Sequence, residues 1–279
     1  MTVLEVLQAS TEFLKKREVE NPRLNAEHLL ASVLGRTRME LYLEFEKKLS
    51  DPELDKLRGL VKRRSQGEPL QHLLGTVEFC GNLFKIDKRA LVPRPETEEL
   101  VELILNFRFP VANLRIVDVG TGSGVIALSL AAKLPEAKLA AIDTSEDALA
   151  LAGENAESLR LTSRISFEKS NLFEKIPERF DLIVANLPYI GMQDRPSLSR
   201  EVLHDPEIAL FGGERGDELI RELIDQSGAH LNPNGVLALE IGLGQADGLE
   251  KLVRQKNFHD IETKKDYSGI PRFLFARYG

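Results

Sequence analysis

Apolar residues in the first 67 positions recur at helical spacing, and polar residues divide them into four segments. Thr2 with Glu5, and Thr37 with Glu40, have the spacing of a capping box, where hydroxyl and carboxylate each satisfy a backbone N–H left over at a helix start. Asn25 is expected to cap "AEHLLASVLG", with Gly35 as a left-handed C-cap. Ser50 precedes "DPELDKLRGLVKRRSQG", whose Pro52 suits a first turn and whose Gly67 ends it. Residues 1–68 therefore read as a small helical bundle, expected to dock the substrate. Residues 69–92, "PLQHLLGTVEFCGNLFKIDKRALV", change pattern: Val77, Phe79, Leu83, Phe84 and Ile86 stand among Gly75, Gly81 and Asn82, which predicts a β-hairpin linker.

Residues 93–279 begin with "PRPETEELVELIL", a helix opened by two prolines, and then alternate. "LRIVDVG", "AKLAAID", "RISFEKS", "FDLIVAN", "GVLALEIG", "DIETKKD" and "RFLFARY" read as strands, separated for the most part by helical segments. This alternation predicts an α/β fold with a mostly parallel seven-stranded sheet covered on both faces.

Composition changes that picture little. The chain of 279 residues is 42% hydrophobic and 29% charged, ordinary for a soluble globular protein. No apolar stretch approaches the ~18 residues of a membrane span, and the N-terminus lacks the pattern of a signal peptide. Cys80 is the single cysteine, which excludes an intramolecular disulfide and suits a reducing cytoplasm. His28, His72, His204, His230 and His259 have no metal-ligand spacing, so no metal is expected. Charge matters more. The net charge is −7, against a whole-molecule polyanion binder, and no stable nucleic-acid binding is expected. Residues 1–75 hold 13 of the 37 Lys/Arg and 12 of the 44 Asp/Glu, so the acidic excess lies in the remainder.

"VDVGTGSG" places Asp118 near the end of the first α/β strand, with Gly120, Thr121, Gly122, Ser123 and Gly124 in the turn. Glycine allows positive φ and lets a ligand lie on bare peptide, and the next helix N-terminus adds donors. Dinucleotide sites favour G-x-G-x-x-G. Here the spacing is G-x-G-x-G, with Val125 where the third glycine would stand, which resembles the S-adenosylmethionine (AdoMet) loop of Rossmann-like methyltransferases. Asp118 either orients the loop or meets the ligand ammonium. Asp143, ending "AAID", either accepts both ribose hydroxyls or caps the helix that starts near Ser145. Asn171 and Leu172, after the third strand, either contact adenine or form a turn.

The fourth strand ends in Asn186-Leu187-Pro188-Tyr189. Ligands of open α/β sheets bind at this carboxyl edge. An amide or base nitrogen is a poor nucleophile because its lone pair is delocalised. A site that accepts hydrogen bonds from its two N–H groups would hold it in line and stabilise the charge that develops there. Asn186 Oδ1 and the Leu187 carbonyl are two such acceptors, Pro188 shapes the turn, and Tyr189 offers a flat face. The same tetrapeptide also suits a plain strand-to-turn junction.

The assembled motifs resemble one family, the peptide-chain release-factor glutamine methyltransferases (PrmC/HemK). The resemblance runs through "NPRLNAEHLLASVLG", "EPLQHLLGTVEFCGNLF", "ALVPRPETEELVE", "VDVGTGSG", "ANLPYI", "ALFGGERGDELI" and "DYSGIPRF". It implies AdoMet-dependent N5-methylation of the Gln in the Gly-Gly-Gln motif of class I release factors, in the cytoplasm. It also implies that Gly120–Gly124, Asp143 and Asn186 hold AdoMet, that Asn186–Tyr189 bind substrate, and that "PRPETE" lines the site. Arg94, Glu96 and Thr97 in that segment either contact ligand or only start the helix. The family usually has Pro where Leu187 stands. Asn-Leu-Pro-Tyr resembles adenine dimethyltransferases of ribosomal RNA, so an adenine N6 methyltransferase acting on RNA or DNA is the alternative, and a non-catalytic AdoMet-binding module a third.

Overall fold

A computed structural model describes residues 1–109 and 113–279. The chain forms two compact units, one of Met1–Thr76 with Ser199–His204 and the other of Val77–Leu198 with Asp205–Gly279.

The first unit is helical: α1 (Val3–Lys15), α2 (Pro22–Leu34), α3 (Arg38–Leu43), α4 (Asp51–Ser65) and α5 (Leu70–Leu74). Both capping boxes form, Thr2 with Glu5 and Thr37 with Glu40. The expected cap at Asn25 does not. The fixed φ of Pro22 starts α2 a turn earlier. Asn25 lies inside it, 6% exposed, donating to the carbonyls of Glu20 and Asn21 and accepting from Arg64 Nε at 2.6 Å. The buried Arg64 also reaches Glu201 Oε2 at 2.6 Å, which holds Ser199–His204 to the bundle. Residues 70–74, expected in the linker hairpin, are helical and close on Gly75 at φ +73°.

The second unit begins within β1 (Thr76–Phe79), which forms a hairpin with β2 (Asn82–Lys85), and continues with α6 (Pro95–Leu105). Next come β3 (Arg115–Val119), α7 (Val125–Lys133), β4 (Lys138–Asp143), α8 (Glu146–Ser158), β5 (Ile165–Lys169) and β6 (Phe180–Ala185). The short strands β7 (Ile190–Gly191) and β8 (Phe211–Gly213) pair with each other. They are followed by α9 (Glu218–His230), β9 (Leu231–Glu240), α10 (Ala246–Gln255), β10 (Phe258–Lys265) and β11 (Pro271–Tyr278). The seven-stranded sheet has the order β10-β11-β9-β6-β3-β4-β5. β5, β4, β3, β6 and β9 run parallel, and β11 is antiparallel to both its neighbours.

Strand periodicity divides the core. Ile116, Leu182, Val184, Val236 and Ala238 pack with α6 and α7, whereas Val117, Val119, Ile183, Leu237 and Leu239 pack with α9 and α10. The next residues on the α6 side are Asn186, after β6, and Glu240, ending β9. With Ala185 opposite Leu239, these two polar residues project from neighbouring strands towards the start of α6. The chain reverses its strand order at β3, between β4 and β6, and there the glycine loop lies.

Candidate active site

A cavity of about 250 Å³ opens at the carboxyl edge of β3, β4 and β6. Gly120, Thr121, Gly122, Ser123, Asp143, Asn171, Leu172, Asn186, Leu187 and Pro188 all line it, although the chain separates them by up to 68 positions. Asp118, Gly124 and Tyr189 stand outside its wall.

The loop is shaped by three positive φ values, +74° at Gly120, +57° at Gly122 and +83° at Gly124. At Gly120 a Cβ would come within 2.7 Å of Leu187 Cδ2. The positive φ favours glycine there, and an added Cβ would also require the Leu187 side chain to shift. At Gly124 a Cβ would meet Leu128 and Ala152 at 3.0 and 3.1 Å, so this glycine lets α7 and α8 approach. Asn155, wholly buried on α8, donates to the carbonyls of Ser123 and Lys85 and accepts the Lys85 N–H, tying the loop to β2. Nothing in the spacing of the sequence singled it out.

Asp118 follows strand alternation and points at α7. It accepts from the Thr121 hydroxyl at 2.7 Å and from the Ala127 N–H at 3.1 Å, and is fully buried. Both hydrogen bonds go to one oxygen, Oδ2, and tie the turn and the start of α7 to the end of β3. Burial pushes its carboxyl up to about 7 against those two hydrogen bonds. Asp143 accepts from Gly122 N–H and Ser145 N–H at 2.9 Å each while lining the cavity. The cap of α8 is Ser145, whose hydroxyl accepts the Ala148 N–H. Asn171 is exposed and donates to Glu174, whereas Leu172 is buried with φ +45°, its side chain forming part of the wall.

The Asn186 carboxamide donates through Nδ2 to the Thr97 hydroxyl at 3.0 Å. Thr97 in turn donates to Glu240 Oε2 at 2.8 Å. Tyr189 donates its hydroxyl to Glu240 Oε1 at 3.3 Å, and its carbonyl accepts from Gln245 Nε2 at 3.0 Å. The Arg272 guanidinium lies 5.9 Å from the Tyr189 ring centre. Glu240 is 1% exposed, and burial pushes its carboxyl up to about 7 against the Thr97 hydrogen bond and the nearby Arg272. Burial beside Glu240 likewise raises the Tyr189 phenol well above its usual range. Of the "PRPETE" candidates, Thr97 joins the site; Arg94 instead pairs with the buried Asp205 at 2.7 Å. Glu240 was not foreseen, though an acid closing the apolar run "GVLAL" was a visible signal.

Leu187 is 4% exposed, with its side chain against Gly120. The side chain at this position thus forms part of the cavity wall. Among the described residues no group of three or more His, Cys, Asp or Glu is placed to hold a metal ion.

The parallel sheet, the glycine loop after its first strand, the carboxylate ending the next and the cavity between them define an AdoMet-dependent methyltransferase. Residues 5–75 match the PrmC N-terminal domain and residues 110–240 a methyltransferase domain. A release factor glutamine methyltransferase of Geobacter sulfurreducens is 41% identical, covering 100% of this chain and 97% of its own length. One from Salmonella typhimurium is 39% identical over 94% of both chains. Among solved structures, a ribosomal protein L11 methylase from Lactobacillus delbrueckii subsp. bulgaricus is 27% identical, covering 67% of this chain and 81% of its own with a TM-score of 0.50. This chain belongs to the release factor glutamine methyltransferase family.

Proposed function

We propose that this enzyme methylates N5 of the glutamine in the Gly-Gly-Gln motif of class I peptide-chain release factors, with AdoMet as donor. The residues around the cavity suit that donor. The glycine loop offers bare peptide, and Asp143 stands beside it at the end of β4 with a carboxylate for ribose hydroxyls. Leu172 offers an apolar surface for a ring. When bound, AdoMet supplies an electrophilic methyl group on a sulfonium centre.

The observation that carries the reading is the direction of the Asn186 amide. Its Nδ2 is taken by Thr97, which leaves Oδ1 as the free acceptor. With the Leu187 carbonyl it provides two acceptors for the two N–H groups of a primary carboxamide. Together they hold the substrate nitrogen in line and stabilise positive charge as it forms. The proton can leave after transfer, so no strong general base is needed. Tyr189, fixed at hydroxyl and carbonyl, directly follows the cavity-lining Pro188 and is the flat face this reading assigns to the planar group. The relatives favour glutamine over the adenine alternative, because those compared over the full length are named for glutamine. Among the described residues no helix is long and apolar enough to cross a membrane. Action in the cytoplasm, without stable nucleic-acid binding, completes the proposal.

Asn186→Ala tests it. Turnover should fall about 100-fold or more, the scale of one lost charge-stabilising contact, while AdoMet affinity stays within about threefold. Equal loss of both, read by calorimetry beside a methyl-transfer assay, would mean that Asn186 is only structural.

A further inference from the structure

Glu240 touches neither the cavity nor any atom that would react, yet it receives hydrogen bonds from both ends of the substrate tetrapeptide. One comes from Asn186 by way of Thr97 and the other directly from Tyr189. We propose that Glu240 is a positioning residue whose negative charge, relayed by the Thr97 hydroxyl, sets the orientation of the Asn186 carboxamide and so makes it an acceptor for substrate.

Hydrogen counting supplies the reason. A carboxylate has lone pairs and no proton to give. Thr97 has a single hydroxyl proton, and with Glu240 ionised that proton must point at Oε2. Only lone pairs of Thr97 then remain for Asn186, which must offer Nδ2 and turn Oδ1 away. Protonating Glu240 removes the constraint. The acid can donate to Thr97, Thr97 can donate to Asn186 Oδ1, and the amide can rotate by half a turn. A rotated Asn186 presents N–H to the substrate N–H, two donors facing each other, and the clamp fails. Asn and Gln orientations are decided by such networks because the two ends differ by little else.

The placement follows from the fold. Asn186 and Glu240 extend neighbouring parallel strands on one sheet face, and Thr97 is the third residue of α6, which covers that face. All three belong to the second compact unit. The charged groups that bear on Glu240 are Arg272 on β11 and Glu96 on α6, with the Tyr189 phenol beside it. Arg272 favours the carboxylate and Glu96 opposes it. Because burial raises the carboxyl to about 7, ionisation of Glu240 falls in an accessible range. The sign is set: the clamp is ordered above that pH and loosens as pH falls through it.

The inference rests on the glutamine-methylation reading, and wild-type transfer to a release factor is measured first. If wild type fails to transfer, that reading falls; with wild type active, the variants decide the inference alone. Wild-type kcat should drop on the acid side with a midpoint near 7. In Glu240→Gln, which cannot ionise, that acid limb should vanish. Thr97→Val, which keeps the shape but breaks the relay, should lower kcat at pH 8 at least tenfold, with AdoMet Kd and release-factor KM within about threefold. Thr97→Ser should recover most of the loss. The inference is overturned if the acid limb persists unchanged in Glu240→Gln, if Thr97→Ser is no better than Thr97→Val, or if kcat and AdoMet affinity fall together in Thr97→Val.

Discussion

Leu187 stands where the family usually has proline, and the structure gives its side chain a task. It fills the space that the absent Cβ of Gly120 leaves, forming part of the cavity wall. The carbonyl remains available either way. Among the described residues its N–H makes no hydrogen bond, so proline would remove no partner there. Leu187→Pro should therefore keep turnover within about threefold. Gly120→Ala should behave differently: the new Cβ meets Leu187 Cδ2 and is strained by φ +74°, each effect of the order of 1 kcal/mol. AdoMet affinity should fall about tenfold or more, and adding Leu187→Ala should restore part of it in a binding titration. An unchanged affinity in Gly120→Ala would show that the loop yields freely. At this scale the tetrapeptide and the glycine loop were legible because their residue types are unusual for their positions. Glu240 and Asn155 were not, since their roles depend on which strand or helix lies alongside, which a single sequence does not state.

Among the elements, the helical bundle shows how a buried charge is tolerated. Glu27 on α2 is 2% exposed. It accepts from the Tyr42 hydroxyl at 2.6 Å, Arg38 at 2.7 Å and Arg23 at 3.0 Å. Burial alone pushes its carboxyl up, but these three donors outweigh it and hold the group at about 2, below its ordinary 4.5. A difference of that size corresponds to roughly 3 kcal/mol. Arg23 and Arg38 are largely exposed and screened, so about 2 kcal/mol is the expected contribution. It is complete above about pH 4.5 and lost as pH falls towards 2. Glu27→Gln should lower protection of α2 amides in hydrogen exchange at neutral pH by that amount and flatten its decline below pH 4.5. Protection equal to wild type would show that the network adds nothing. The capping boxes of this unit were legible because they are local in sequence. The start of α2 was misplaced because Pro22, not Asn25, begins the helix. That freed Asn25 for Arg64, 39 positions away and beyond any local rule.

For the molecule as a whole, the alternation of strand and helix was enough to give the sheet its class, because strands buried on both faces read as short unbroken apolar runs. Strand order, and with it the adjacency of Asn186 and Glu240, comes from the crossovers. Membership of Ser199–His204 in the helical unit was equally hidden, since it rests on Arg64 meeting Glu201 across 137 positions. The central claim is that a fold shared by many methyltransferases here acts on a protein glutamine. The most direct measurement supplies the purified enzyme with methyl-labelled AdoMet, a class I release factor and ribosomal RNA in parallel reactions, then locates the label by peptide mass spectrometry. The label should appear on the glutamine of Gly-Gly-Gln and disappear when that glutamine is replaced. Label confined to RNA, or a release factor left unmodified by enzyme that binds AdoMet, would contradict the account.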